Sequence, residues 1–188
     1  MSIREYIGVE LETLARLLRN FCINVLPDLW IVNRYLRPAV AQLFGASCGS
    51  GVILQKGIFY GNVRNLKIGQ RSVICRGAFL DGCGRIDIGE NVGIAFQVTF
   101  ITSSHEIGAA QKRVGSLTRA NIQIGNGCWI GARAIIGPGV IMAAGSVLSA
   151  GSSLMRACPP NSLVAGIPGR IVTTLAKEPC CDSLACRP

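Results

Sequence analysis

Histidine is almost missing from this sequence: His105 is the only one in 188 residues. A zinc centre that needs three histidine ligands has no ligand set here. Charge is also scarce, at 15% of residues, and one-sided, with 19 Lys and Arg against 10 Asp and Glu. The formal charge of +9 points to anionic partners (nucleic acid, a membrane surface or a phosphate-rich ligand such as a nucleotide cofactor) or serves general solubility. No Lys/Arg run with interleaved aromatics occurs, which makes nucleic acid the weakest of these. No stretch reaches the roughly 18 uncharged apolar residues of a transmembrane helix, so none is expected. Glu5, Glu10, Glu12, Arg16 and Arg19 interrupt the N-terminal apolar run, which argues against a signal peptide. The 9 cysteines show no disulfide frame: their number is odd and their spacing irregular. They read as reduced thiols of a cytoplasmic protein, and those within the chain's repeat act as small hydrophobes. Cys180, Cys181 and Cys186 cluster without a nearby histidine, a poor metal signature, so residues 174–188 read as a flexible tail.

Aliphatic residues and glycine are plentiful instead, at 49% hydrophobic and 23 Gly. That excludes disorder. The aliphatic residues recur every sixth position: Ile68, Ile74, Leu80 and Ile86; Ile88, Ile94 and Phe100; then Ile124, Ile130, Ile136, Met142, Leu148 and Leu154. Neither a helix, with its period of 3.6, nor an ordinary strand sustains such a period. A β-solenoid does, with one short strand per hexad and three hexads per triangular coil. The fold class is therefore an all-β solenoid over residues 49–173, with entry strands from Gly49 to Lys67 and coils at 68–85, 88–105, 124–141 and 142–159. A two-residue slip falls at Ile86–Ile88, and Pro159-Pro160 ends the hexads before one last strand between Asn161 and Val172.

Residues 1–48 form a helical segment. Ile3, Ile7, Leu11, Leu14, Leu18, Phe21 and Val25 lie on one helical face, and a second helix is predicted over Asn33–Phe44. Arg16, Arg19, Arg34 and Arg37 decorate this region, which predicts a cap on the open solenoid end or packing on a neighbouring subunit. The alternative is a peripheral membrane contact through the N-terminal helix.

The repeat is interrupted over 106–121, directly after Thr102-Ser103-Ser104-His105-Glu106. Inserted loops on rigid scaffolds often carry function. Histidine suits a general base because its unperturbed pKa lies near neutrality, and its place beside the loop favours that role over a satisfied corner residue. The Thr102–Ser104 run alone would read as turn chemistry.

The hexads, the single histidine before a loop, Ile124-Gly125-Asn126-Gly127-Cys128-Trp129-Ile130-Gly131-Ala132, and the ending Pro159-Pro160-Asn161-Ser162-Leu163-Val164-Ala165-Gly166-Ile167-Pro168-Gly169-Arg170 together resemble the hexapeptide-repeat acyltransferases. The similarity is to the sugar O-acetyltransferase branch, which includes maltose and nodulation-factor acetyltransferases and enzymes that decorate bacterial polysaccharides. It implies a left-handed parallel β-helix, a homotrimer with active sites between subunits, and acetyl-CoA or another acyl-CoA as donor. It also implies transfer of the acyl group to a hydroxyl of a sugar, polysaccharide precursor or related small molecule. His105 would be the base, with Glu106 orienting its ring or contacting the acceptor; the alternative for Glu106 is a solvated loop carboxylate. Trp129 would wall the thioester arm or the site; its alternative is a buried anchor of the coil. Gly131, Ala132, Ser149 and Ala150 would line the pantetheine groove, and Arg170 and Lys177 would meet the CoA phosphates. Many relatives carry Asn where this chain has Ile74-Cys75-Arg76, to position the acceptor hydroxyl. Cys75 lacks that hydrogen bonding, and Asp81 is the residue placed to compensate. Met142-Ala143-Ala144 and Leu148-Ser149 also lack the usual second-position Gly, a change of packing.

Zinc carbonic anhydrases that share the solenoid fail on the histidine count, and solenoid nucleotidyltransferases need a further domain for which there is no room. A non-catalytic scaffold that binds a partner, or an acyltransferase acting on a secondary metabolite, are the remaining alternatives.

Overall fold

A computed structural model describes residues 3–176. Lys177 and the cysteine-rich end, including Cys180, Cys181 and Cys186, lie outside the described residues. The hexads wind into a three-sided β-solenoid, each turn giving one short strand to each of three sheets. The first sheet stacks Ser47–Cys48, Leu66–Ile68, Ile86–Ile88, Ile122–Ile124 and Ile141–Met142 in parallel. The second begins with Ile53–Leu54, Val73–Ile74, Gly93–Ile94, Trp129–Ile130 and Val147–Leu148. The third holds Phe59–Tyr60, Phe79–Leu80, Thr99–Phe100, Ile135–Ile136 and Ser153–Leu154. Every hexad position named above points inward and is buried, with Ile74, Phe100, Ile130, Ile136, Met142 and Leu148 wholly inaccessible. Each such side chain contributes roughly 1.5–3 kcal/mol when buried, so the column is the main stabilising term.

The irregular stretch before residue 68 is a full turn. Cys48, Leu54 and Tyr60 keep the six-residue spacing, and they stack on Ile68, Ile74 and Leu80. Two of its three inward residues are not aliphatic, which hid it in the sequence. The slip at Ile86–Ile88 also has a structural origin. The early turns carry longer corners at 61–65 and 81–85, and both ends of the three-residue strands Leu66–Ile68 and Ile86–Ile88 point inward. Beyond Pro160, two antiparallel strands, Ser162–Ala165 and Arg170–Thr174, extend the second sheet where a single strand was expected.

Open sheet edges invite pairing with other chains, and the N-terminal segment closes them. Helix α1 (Ile3–Val25) leads through a π-helical turn at Val32–Leu36 into α2 (Arg37–Leu43). Asn20 and Asn24 stand one helical turn apart and bond the third sheet's edge like a strand. Asn20 gives its amide to the Tyr60 carbonyl (2.8 Å) and accepts the Tyr60 N–H (2.9 Å); Asn24 does the same with Ile58 and Gly57. Arg37 donates to the Leu54 carbonyl at the second sheet, and Gln42 to the Cys48 carbonyl at the first. The expected cap is thus present, but α1 makes it with its polar side. Of the apolar stripe, Ile7, Leu11, Leu14, Leu18, Phe21 and Val25 are all exposed. Arg37 is no surface decoration either, being fully buried.

The excursion at 106–121 leaves the solenoid earlier than predicted. Ser103–Ile107 and Val114–Arg119 pair as an antiparallel arm, so His105 stands within the arm rather than at its root.

Candidate active site

The arm rises at the corner between the third sheet and the first. Along Ser103–Ile107 side chains alternate between the two faces, so Ser103 and His105 share a face and Glu106 takes the other. Registry runs Ser103 to Arg119 and His105 to Leu117, then slips between His105 and Ile107. The extra residue lies on the partner strand, at Gly115-Ser116, and bulges of this kind re-aim backbone groups. Here the Gly115 carbonyl faces the imidazole, 3.0 Å from His105 Nδ1. A carbonyl can only accept, so this contact assigns a proton to Nδ1, and in the neutral imidazole Nε2 then holds the lone pair. His105 is exposed, and Nε2 is free to take a proton from a bound hydroxyl.

Asp81 forms the root of the arm. Its Oδ2 accepts from the Thr102 N–H (3.0 Å), the Thr102 hydroxyl (2.9 Å) and the Ser103 hydroxyl (2.8 Å), and its Oδ1 from the Cys83 thiol (3.3 Å). Thr102 is wholly buried and its hydroxyl oxygen also accepts the Gly84 N–H at 2.9 Å, so one buried residue joins two turns. Burial works to raise the Asp81 pKa, but the hydrogen bonds from Ser103, Thr102 and Cys83 outweigh it and hold the carboxyl below its ordinary value. The Cys83 thiol is pushed up by burial and by its bond to Asp81, so it stays protonated.

Because the folded pKa is depressed, the Asp81 contribution to stability is complete above the ordinary carboxylate value near ~3.9. It is lost as pH falls through the folded value. Asp81→Asn is therefore expected to lower the melting temperature at pH 7, with the gap to wild type closing on acidification. A melting series from pH 7 to pH 3 checks this; a gap that widens in acid refutes it.

The remaining predicted residues gather at another corner, between the second and third sheets. Cys75 follows a second-sheet strand there, Gly131-Ala132 and Ser149-Ala150 follow the strands two and three turns further on, and Arg170, paired with Ala165, closes the stack. A Cβ on Gly131 would lie 2.4 Å from the backbone nitrogen of Ala150, so no side chain fits at that position. Trp129 is 60% exposed and lies across Gly93, which excludes the buried-anchor reading. The Cys75 thiol is raised by burial, only partly opposed by Arg76, and remains a neutral, weak donor. Arg170 is exposed, and Lys177 is beyond the described residues.

One chain thus holds two separate groups. His105 and Asp81 share one corner; Cys75, Trp129 and the small-residue stack occupy another. Glu106 belongs to the first corner but faces away from the imidazole side. The sequence reading missed the Asp81–Thr102–Ser103 root and the Gly115 carbonyl. The root had a visible signal: Leu80 stacks under Phe100, which sets Asp81 beneath the Thr102–Ser104 run.

A family model described as bacterial transferase hexapeptide (six repeats) matches residues 121–155. Galactoside O-acetyltransferase of Escherichia coli (strain K12) is 30% identical over 133 residues, which is 71% of this chain and 65% of that protein. A Dictyostelium discoideum protein with an inferred acetyltransferase name is 38% identical over 132 residues, 70% of this chain and 68% of its own length. Among solved structures, a maltose O-acetyltransferase from Clostridium difficile 630 superposes with a TM-score of 0.76 at 27% identity, covering 89% of this chain and 90% of that one. A hexapeptide-repeat acetyltransferase from Vibrio cholerae, solved with acetyl-CoA, superposes with a TM-score of 0.71 at 26% identity, covering 90% of each chain.

Proposed function

The chain belongs to the hexapeptide-repeat acetyltransferases related to galactoside and maltose O-acetyltransferases, and on that premise we propose that it moves an acetyl group from acetyl-CoA to a hydroxyl of a sugar or sugar-derived acceptor. The observation that carries the reading is the His105 geometry: Nδ1 held by the Gly115 carbonyl, Nε2 open. Nε2 takes the hydroxyl proton as the acceptor oxygen attacks the thioester carbonyl carbon. The tetrahedral species collapses, the C–S bond breaks, and the proton passes from the imidazolium to the departing CoA sulfur. Holding donor and acceptor in one ternary complex supplies much of the remaining rate.

The small-residue corner suits the pantetheine arm, with Gly131, Ala132, Ser149 and Ala150 as its floor, Trp129 as its wall and Arg170 for the phosphates. It is not the corner that carries His105. Both groups serve one reaction if a second copy supplies one of them, which favours a homotrimer with sites between subunits. Sedimentation equilibrium tests this; a fully active monomer would sink the shared site.

The outward apolar stripe of α1, beside exposed Trp30 and Tyr35 with Arg34 between them, favours an acceptor presented at an anionic membrane surface. Co-sedimentation with vesicles of anionic lipid tests that contact, and a chain that stays in the supernatant removes it.

The central test is donor binding followed by turnover. CoA at about 100 times its Kd is expected to add about 2.7 kcal/mol, read as a rise of about 5–10 °C in Tm. Acetyl transfer to a panel of hydroxylated sugars should follow. No stabilisation by CoA and no transfer to any sugar would leave a non-catalytic solenoid.

A further inference from the structure

Docking of α1 through Asn20 and Asn24 leaves a groove of about 1060 Å³ between its middle turns and the flank of the early coils. Its floor is the outward pair Phe59 and Phe79, whose rings stack at 4.8 Å and 4°. Arg16 and Arg19 enter from the helix, Arg64 from the first long corner, and Arg119 from the arm. Two carboxylates also line it, Glu12 and Asp81. Asp81 is ionised and turned to Thr102, Ser103 and Cys83, so the lining carries four cations against two anions. The ion pairs among the described residues join Arg71, Arg76 and Arg85 to their partners, and none involves the four groove arginines. Four guanidinium groups around an apolar floor, against two carboxylates, give the groove a net positive lining that suits an anion.

The groove meets the arm that carries His105. Arg119 pairs with Ser103, and the Ser103 hydroxyl reaches Asp81 in the groove wall. His105 stands on the same face of its strand as Ser103, about 7 Å further along. One sugar unit spans that distance.

We propose that this groove is an acceptor subsite that selects glycans carrying an anionic group, phosphate or carboxylate, next to the acetylated sugar. The phenylalanine pair takes the apolar face of a sugar ring, and the arginines take the charge. The inference rests on the acetyl-transfer reading for its acceptor role and on the groove itself for its anion binding.

Two measurements on the full chain separate these. The first is steady-state transfer from acetyl-CoA to maltose, to a nucleotide-diphosphate sugar and to a glucuronate-bearing oligosaccharide, in wild type and in Arg64→Gln/Arg119→Gln. The charged acceptor is expected to show the higher kcat/KM. The double substitution should raise its KM on the order of 10–100-fold, with the KM for acetyl-CoA within about twofold. Which charged acceptor responds distinguishes phosphate from carboxylate. The second is calorimetric titration with inorganic pyrophosphate and with glucuronate, which needs no turnover. Binding that is lost in Arg64→Gln/Arg119→Gln but kept in Arg170→Gln upholds the subsite even if no acceptor is acetylated. The proposal is overturned if maltose is used as well as the charged acceptors and the double substitution changes neither. It is equally overturned if the substitution raises the KM for acetyl-CoA instead, which would assign the arginines to the donor.

Discussion

His105→Ala is expected to lower kcat by on the order of 10²–10⁴-fold, a barrier increase of about 2.7–5.5 kcal/mol, with the fold intact. The imidazole is exposed and, among the described residues, makes one hydrogen bond, to the Gly115 carbonyl, so its loss removes little stability. Far-ultraviolet dichroism and Tm should match wild type, and CoA should still stabilise the variant, because the donor corner is untouched. Glu106→Gln provides the contrast. Its carboxylate lies on the opposite face of the strand, and the backbone carbonyl of Gly115, not Glu106, fixes the imidazole. The expected effect on kcat is therefore below about tenfold. Equal activity in His105→Ala and wild type would remove His105 from the chemistry. A loss in Glu106→Gln as large as that in His105→Ala would mean the arm rotates when substrates bind.

The contrast between these two neighbours marks where the sequence was legible. The solenoid was readable because a six-residue aliphatic period has one structural solution, and the buried column from Ile68 to Leu154 follows it residue by residue. The first turn escaped because Cys48 and Tyr60 fill inward positions with side chains that break the visual period. His105 could be singled out by its uniqueness and by the gap beside it. Its orientation could not, since that depends on a carbonyl brought opposite by a bulge at Gly115-Ser116. Asp81 was singled out for the acceptor, yet its oxygens are spent on the arm. Three of its four donors come from the turn stacked above it, 21 and 22 residues on, and local patterning does not report them. Helix α1 shows the same limit in reverse. Its periodicity correctly gives a helix, but two asparagines facing an open sheet edge, rather than the apolar stripe, decide which side docks.

The cap makes its largest demand on Arg37. The side chain is wholly buried, and it donates to the carbonyls of Ile23 (3.1 Å), Leu54 (3.0 Å), Leu26 (2.8 Å) and Pro27 (3.2 Å) and to Asn33 Oδ1. Asn33 in turn donates to Asp28 at 2.8 Å, the main reason that the Asp28 carboxyl lies below its ordinary value. The guanidinium charge is thus balanced by a ring of carbonyl dipoles and relayed to one carboxylate, and it ties α1, the linker and the second sheet's edge together. Arg37→Met keeps the length and apolar stem but strands the buried carbonyls of Ile23 and Leu54 and the Asn33 amide oxygen, and leaves the part-buried carbonyls of Leu26 and Pro27 to water. The expected cost is about 3–5 kcal/mol, read as a lower urea midpoint at unchanged slope. Arg37→Lys keeps the charge with fewer, unforked donors and should fall between the two. Arg71→Met, which removes an exposed pair with Glu90, should cost less than about 1 kcal/mol. Because the lost contacts cover a sheet edge, Arg37→Met should also aggregate at temperatures where wild type stays monodisperse by light scattering. If its midpoint matches that of Arg71→Met, the asparagine bonds and the small apolar contact at Ile23 hold the cap unaided. The arginine would then be a passenger in the fold.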